Sequence, residues 1–459
     1  MTLLIPYFLS LTIGILALNI LFSQQNRLSL PLFLALAFLT GMAESIFICF
    51  LGFLIFNRFH LPFIISAHLI EILIFLAFHI RRPLTKFRSA FKIPPLDPDL
   101  LIVLSLVGFL SWLYSSLYPN GGWDAWQVWN FKSKFLLLSG SRWKDLFDPI
   151  LWRSSPHYPL ALPLWNAWTA ACAPHLLDLA ARLNAILLNI LTALVMFSTV
   201  RQYSNSRWII LPVLLPFTMP SYMLLATNQY ADLFITVFFL ASLTALFSYH
   251  RTHDVAFLAI TGIFLGILSF TKPEGVILAA IIFLTGHMIF QRPSFLRRDA
   301  LLFWIATGLA LVPAAIFFLF LSPGNQTFFN GLISTEHPST LSRLTIIFIF
   351  LGREILGMHG GGLWGLILLS ALLNFKQAFQ KKFALFFLPI ILYLSVVGTY
   401  YWINTRFEIL WWLSVSLKRI LNSLIPAAVT WIILAICSQK KSSSITDAEA
   451  RKHNPSSLP

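Results

Sequence analysis

The sequence predicts an all-α, polytopic transmembrane helix bundle, on three observations. Hydrophobic residues make up 58% of the chain and charged residues 11%, with a mean hydropathy of +0.79, against about 25% charged residues in a soluble domain. Apolar runs close to the ~20 residues that cross hydrocarbon recur along the whole chain. No alternating strand pattern and no soluble repeat interrupts them, and in lipid a helix closes its own backbone hydrogen bonds.

Taken in order, the runs place about 13 spans near residues 2–23, 30–56, 61–80, 100–118, 177–200, 208–227, 230–249, 255–271, 275–291, 300–321, 361–375, 384–402 and 423–438. The first run has no basic residues ahead of it, so it reads as a retained span rather than a cleaved signal peptide. Leu344 to Leu356 is apolar but short and broken by Arg353 and Glu354, so it reads as a lateral or re-entrant helix beside the Gly360-Gly361-Gly362 run.

The lysines and arginines orient the chain. Connections holding Arg27, Arg81 to Lys92, Arg201 and Arg207, Arg251, Arg292 to Arg298 and Lys376 to Lys382, with the C-terminal tail, carry 19 of the 32 basic residues. The excess of basic residues on cytoplasmic loops puts them inside. An odd number of spans then places the N-terminus outside and the tail inside. The net charge of +15 follows from that topology and from attraction to anionic headgroups. No solvated basic face suggests nucleic acid. Cys49, Cys172 and Cys437 form no metal-like pair.

The organisation that follows has three parts. Residues 1–99 form a three-span extension with a basic loop, 100–438 a membrane unit with a long outer loop at 118–176, and 439–459 a polar, disordered tail. The composition leaves little room for a soluble catalytic domain or a dinucleotide-binding layer.

Chemistry-bearing residues crowd the outer connections. The first loop opens Gly121-Gly122-Trp123-Asp124-Ala125-Trp126, with Lys132 and Lys134 following. One reading of Asp124 is a helix N-cap in an interfacial aromatic belt. The other is a partly desolvated carboxylate that takes a proton from an acceptor hydroxyl. The loop continues through His157 and Tyr158 into an apolar stretch, Leu160 to Ala173, expected to lie as an interfacial helix. Arg182 enters the next span, where a cation is costly unless paired. Asp232 and Glu274 sit at outer span ends, as helix caps or as cavity groups, and Lys272 precedes Glu274 in Thr271-Lys272-Pro273-Glu274-Gly275. Lys418 and Arg419 precede the last span, either snorkelling to the interface or binding a phosphate. Glu44 and Glu71 fall inside the N-terminal spans, as hydrogen-bonded helix contacts or functional groups, while Glu354 and His359 flank the glycine run. Asn325-Gln326-Thr327 fits a short glycosylation sequon.

The order of these motifs resembles the GT-C superfamily of membrane glycosyltransferases, in the protein O-mannosyltransferase and aminoarabinose-transferase-like branch. The Trp/Asp-rich first loop, His157-Tyr158-Pro159-Leu160, Ala181-Arg182-Leu183, Tyr230-Ala231-Asp232-Leu233, the Lys272 turn and Ser416-Leu417-Lys418-Arg419 before Ile425-Pro426 carry it, over roughly residues 100–438. The resemblance implies a sugar donor on a polyprenyl phosphate and an inverting transfer at the outer face of a bacterial inner membrane. It gives Asp124 the role of the first-loop acidic catalytic residue. Arg182, Lys272, Lys418 and Arg419 become candidates for the donor phosphate. Trp123, Trp126, Lys132, His157, Tyr158, Asp232 and Glu274 would line the cavity or meet the acceptor. Protein mannosyltransferases carry an adjacent Asp-Glu pair where this chain has Asp124-Ala125, which leaves the acceptor open among protein, lipid and glycan. Asp124 and Asp232 are the carboxylates a divalent cation would use, but no ligand spacing calls for a metal. The competing readings are a transporter or flippase of an amphipathic substrate, which favours broken midplane helices and duplicated halves, and a non-catalytic scaffold.

Overall fold

A computed structural model describes residues 2–22, 28–80, 97–290, 297–324, 341–357 and 362–453, with side chains described to Ser438. All described regular structure is helical. Among the described residues nine helices are long and apolar enough to cross a membrane, and a bent pair makes up to ten. The chain is a multi-pass integral membrane protein.

The helices run α1 (Leu4–Leu21), α2 (Leu30–Phe56), α3 (Leu61–Ile80), α4 (Pro98–Leu117), α5 (Asn130–Leu138), α6 (Ala161–Ala170), α7 (Leu177–Arg201), α8 (Ile210–Thr218), α9 (Pro220–Thr227), α10 (Ala231–Thr252), α11 (Ala256–Ser269), α12 (Pro273–Phe290), α13 (Arg297–Ile316), α14 (Leu341–Ile355), α15 (Leu363–Leu373), α16 (Ala384–Ile403) and α17 (Ile409–His453). Every expected span falls on a helix or helix pair, but their lengths differ. The run at 208–227 is broken at Met219-Pro220, where α8 and α9 meet at 67°. The residue before a proline is driven out of helical conformation, and Met219 is extended. α11, α12 and α15 are shorter apolar helices.

α10 is wrapped on all sides, and its spanning window is wholly buried. Small residues let its neighbours close around it. Gly262 and Gly266 of α11 lie against the backbone of Ala306 and Ala310 of α13, where a Cβ would collide. Gly14 of α1 and Gly41 of α2 do the same for each other's helix. Such contacts bring helix backbones together where lipid supplies no hydrophobic drive.

α2 makes contacts beyond the N-terminal helices. It packs against α6, α7 and α11 as well as α1 and α3. Polar side chains tie this N-terminal group to the first loop: Ser45 Oγ meets Ser10 Oγ at 2.7 Å and His68 Nε2 at 2.8 Å, and Trp168 Nε1 donates to Ser10 Oγ at 3.2 Å. Glu44 and Glu71 lie within electrostatic reach of each other here.

Two expectations are corrected. The stretch after His157 does form a helix, α6, but it does not lie on the surface: all ten of its residues are buried. Its polar groups are satisfied inside, with Asn166 donating to Asn130 Oδ1 at 3.3 Å and Asn184 donating to Asn166 Oδ1 at 2.8 Å and Thr169 Oγ1 at 2.9 Å. Buried polar groups need such partners. Second, Lys418 and Arg419 do not precede the last helix. α17 starts at Ile409, with Glu408 accepting from the backbone N–H groups of Leu410 and Trp411 at 2.9 and 2.7 Å. That carboxylate cap satisfies donors the first turn leaves open.

The α17 backbone stays helical to His453, past Gln439 where the polar tail begins. Amphipathic α14 is not among the candidate spans, and it carries Arg343, which donates to the carbonyls of Tyr401 and Asn404 at 2.9 and 2.6 Å. Arg27, Arg81 to Lys92, Arg292, Asn325-Gln326-Thr327, His359, Gly360 and Gly361 lie outside the described residues.

The ends of the bundle differ in chemistry. At one end Arg201 pairs with Asp97 at 2.8 Å and Asp99 at 3.3 Å, Arg251 covers Tyr203, and Tyr249 donates to Asp299 at 2.7 Å. The connections carrying Arg201, Arg207 and Arg251 meet there. The start of α10, the α11–α12 turn and the first loop lie at the other, about 30 Å away along α10 at 1.5 Å per residue.

Candidate functional site

Four charged side chains from four separate segments meet at that second end. Arg419 of α17 spreads its guanidinium between two carboxylates, with Nη1 2.6 Å from Asp124 Oδ2 and Nη2 2.6 Å from Asp232 Oδ2. Lys272 Nζ lies 3.1 Å from Asp232 Oδ1. The order is therefore Asp124–Arg419–Asp232–Lys272. The Asp232 and Lys272 side chains are each 7% exposed, while Asp124 is 31% exposed and faces the open side. A planar guanidinium can hold two carboxylates at once, which an ammonium point charge cannot do with the same geometry.

Each member is placed by local backbone rules. The first loop reaches the cluster through Gly121-Gly122. Gly121 has φ +72°, and Gly122 N donates to Asn228 O at 3.1 Å. A Cβ at Gly122 would strike the Tyr230 hydroxyl. This close approach lets the Asp124 N–H donate to Tyr230 Oη at 3.4 Å, and the Tyr230 ring in turn lies 4.6 Å from the Arg419 guanidinium. Asp232 stands in the first turn of α10 and Glu274 in the first turn of α12. Pro273 opens α12 at a position that needs no N–H donor, leaving Lys272 at the mouth of the turn.

Aromatic rings close the chamber. Tyr158 stacks on buried Trp129 with ring centroids 5.6 Å apart, and Lys272 Nζ lies 5.8 and 6.0 Å from the two rings. The Tyr158 hydroxyl is raised well above its ordinary pKa, first by burial and then by the charge of Glu274. Lys132 is buried completely and donates to the carbonyls of Ser155 and Tyr158, both at 2.8 Å. Burial pulls its pKa down to about 7. His157, edge-on to Tyr158, is pushed down to about 4 by burial and by Lys132. Lys132 thus anchors the turn that holds Tyr158 over Lys272.

Two spaces open at this end of the bundle, and the first of them adjoins the quartet. One is a cavity about the size of a single water, lined by Asp232, Lys272, Glu274, Tyr393 and Ser423. The other is a cleft of about 630 Å³ among Tyr118, Asn120, Trp126, Asn130, Lys134 and Asp178. No group of three or more His, Cys, Asp or Glu that could hold a metal occurs among the described residues.

The chain matches no family model, no curated protein and no solved structure.

Of the residues singled out in the sequence, the fold brings together Asp124, Asp232, Lys272, Arg419, Glu274 and Tyr158. Arg182 goes elsewhere: its Nε and Nη2 donate to Ser115 and Ser116 Oγ at 3.2 and 2.6 Å, in the α4–α7 seam. Lys418 follows the helix round by about 100° from Arg419. Trp123 and Trp126 are 61% and 48% exposed and pack edge-on against each other, while Lys134 pairs with Asp178 at 2.9 Å. Sequence reasoning assigned no role to Trp129, Tyr230, Tyr393 or Gln229, which donates to Pro119 O at 3.0 Å and accepts from Asn130 at 2.7 Å. The signal for Tyr230 was its place directly before Ala231-Asp232; the others carried none.

Proposed function

We propose that this protein is an integral membrane glycosyltransferase that moves a sugar from a polyprenyl-phosphate donor to an acceptor hydroxyl, with inversion, at the non-cytoplasmic face of the membrane. The single observation that carries this is the convergence of Asp124, Arg419, Asp232 and Lys272 at one end of the bundle, from segments spread across the chain. The leaving group is a phosphate that already carries negative charge. It needs electrostatic stabilisation, which Arg419 and Lys272 can supply in a low-dielectric chamber. The acceptor hydroxyl needs a carboxylate nearby; Asp124, the most open of the quartet, is the candidate the motif order points to, and Glu274 is the other carboxylate beside Lys272. The motif order from the first loop to α17 resembles the GT-C superfamily and supports the same reading.

The basic connections at the opposite end support a cytoplasmic location for that end, and with it a proposed outer location for the N-terminus and the cluster. The inner membrane of a bacterium is the setting proposed with it. The cleft beside Trp126 and Asp178 offers rings and polar groups to an incoming acceptor. A transporter would gain one feature from the fold, the 67° break between α8 and α9. Its charged groups belong near the bilayer midplane, and here they stand in the first turns of α10 and α12.

The test is reconstitution of the full chain with polyprenyl-phosphate hexose and pentose donors and a membrane extract as acceptor. Sugar transfer by the wild type and its loss in Asp124→Asn are expected. Substrate flux without transfer would favour the transporter.

A further inference from the structure

The four members of the quartet cancel in charge, two cations against two carboxylates. Asp232 has both oxygens engaged, by Lys272 and Arg419, and Asp124 has Oδ2 against Arg419. Glu274 brings a third carboxylate to the same place. It lines the water-sized cavity with Asp232 and Lys272. Its Oε2 is shut off from solvent and accepts from no donor among the described groups. A buried acceptor without a donor costs free energy, and in a site of this kind it marks where a group from a ligand is expected.

The backbone holds Glu274 there. It stands in the first turn of α12 behind Pro273. Gly275 then packs so tightly on the Leu268 carbonyl that a Cβ would overlap it. The backbone of the turn cannot shift at this point without breaking the α11–α12 contact.

We propose that Glu274 is a catalytic residue of the transfer, the proton acceptor for the incoming hydroxyl, while Asp124 stays paired as the counter-ion that positions Arg419. This rests on the glycosyl-transfer reading above. The acceptor oxygen bonds to the anomeric carbon. The bond from that carbon to the donor phosphate oxygen breaks, its electron pair leaving with the phosphate. The hydroxyl proton passes to Glu274 Oε2. Lys272 and Arg419 face the charge released on the phosphate. A proton on either oxygen of Asp124 would neutralise the carboxylate that holds Arg419 at 2.6 Å, whereas Glu274 Oε2 holds no partner among the described groups.

The experiment uses the full chain in proteoliposomes, with labelled polyprenyl-phosphate hexose and pentose as donors and a membrane extract as acceptor. Glu274→Gln keeps the size of the side chain and cannot take the proton. It is expected to lower kcat by about 100-fold or more, the usual scale for a lost general base, with the donor KM within about twofold of wild type. Formate is expected to restore part of the rate in Glu274→Ala and none in Asp124→Ala. Glu274→Asp is expected to retain the melting temperature and a measurable part of kcat, which separates lost chemistry from lost folding. A Glu274→Gln rate within threefold of wild type overturns the assignment. So does formate rescue of Asp124→Ala alone. So does loss of the melting transition in both the Gln and Asp variants. A wild-type protein that transfers sugar from none of the donors removes the glycosyl-transfer reading, and this assignment with it.

Discussion

Arg419 and Asp124 lie 295 positions apart in the chain and 2.6 Å apart in space. The contact joins the first long loop to the last helix, and the same guanidinium holds Asp232. It fixes what substitutions in the quartet should do.

Arg419→Lys keeps the charge and loses the fork. One ammonium cannot meet both carboxylates with the same geometry. Under the proposed function, sugar transfer should fall at least about tenfold, the equivalent of about 1.4 kcal/mol in transition-state stabilisation. Initial rates in proteoliposomes check this; a rate equal to wild type would mean the bridging geometry has no role.

Asp232→Asn leaves Lys272 and Arg419 facing an amide in a nearly closed chamber. Breaking a buried pair from one side costs about 3–5 kcal/mol. The variant should melt well below the wild type in detergent, and more so than Asp124→Asn, whose carboxylate is the more exposed of the two.

Lys132 gives stability a basic-side pH dependence. Its pKa falls from 10.5 in the unfolded chain to about 7 in the fold. Between those values the unfolded chain binds more protons, so this group's contribution to stability rises with pH from about 7 to about 10.5. Lys132→Met should flatten that rise. It should also leave the Ser155 and Tyr158 carbonyls without a donor and cost about 1–3 kcal/mol. Melting temperatures across the pH range read both effects.

His157 does the same on the acid side. Its pKa falls from 6.5 to about 4, so the neutral ring is the folded form. Stability from this group is complete above about 6.5 and is lost as pH falls towards about 4. His157→Gln should remove that loss. A pH–melting curve identical to wild type below 6 would show that the ring is not held neutral in the fold.

Gly122→Ala pushes a methyl into the Tyr230 hydroxyl. The ring beside Arg419 must shift, and the fold need not. Transfer should drop by about tenfold, since small displacements of positioning groups are felt strongly in rate, with little change in melting temperature.

The helices were legible in the sequence because lipid imposes one rule, a long apolar run, at every crossing. Asp124, Asp232 and Lys272 were legible as candidates because each follows or precedes a span end. Their partnership was not, since nothing in a linear pattern tells which ends meet. Arg182 and Arg419 look alike in sequence, each a cation near an apolar run, yet one finds two serines and the other two aspartates. The early start of α17 was hidden because Glu408 and the turns after it are mixed polar and apolar, and tertiary contact rather than composition makes them helix. The burial of α6 was hidden for the opposite reason: an apolar stretch with tryptophans reads the same at a lipid surface as in a core.

That burial has a consequence for biogenesis. α6 is covered by α1 and α2, which leave the ribosome before it, and by α7, which leaves after. The first loop therefore cannot take its final shape before α7 has been made. Asp124 must wait for later helices to enter the bilayer, so the chamber is completed last, when α17 delivers Arg419.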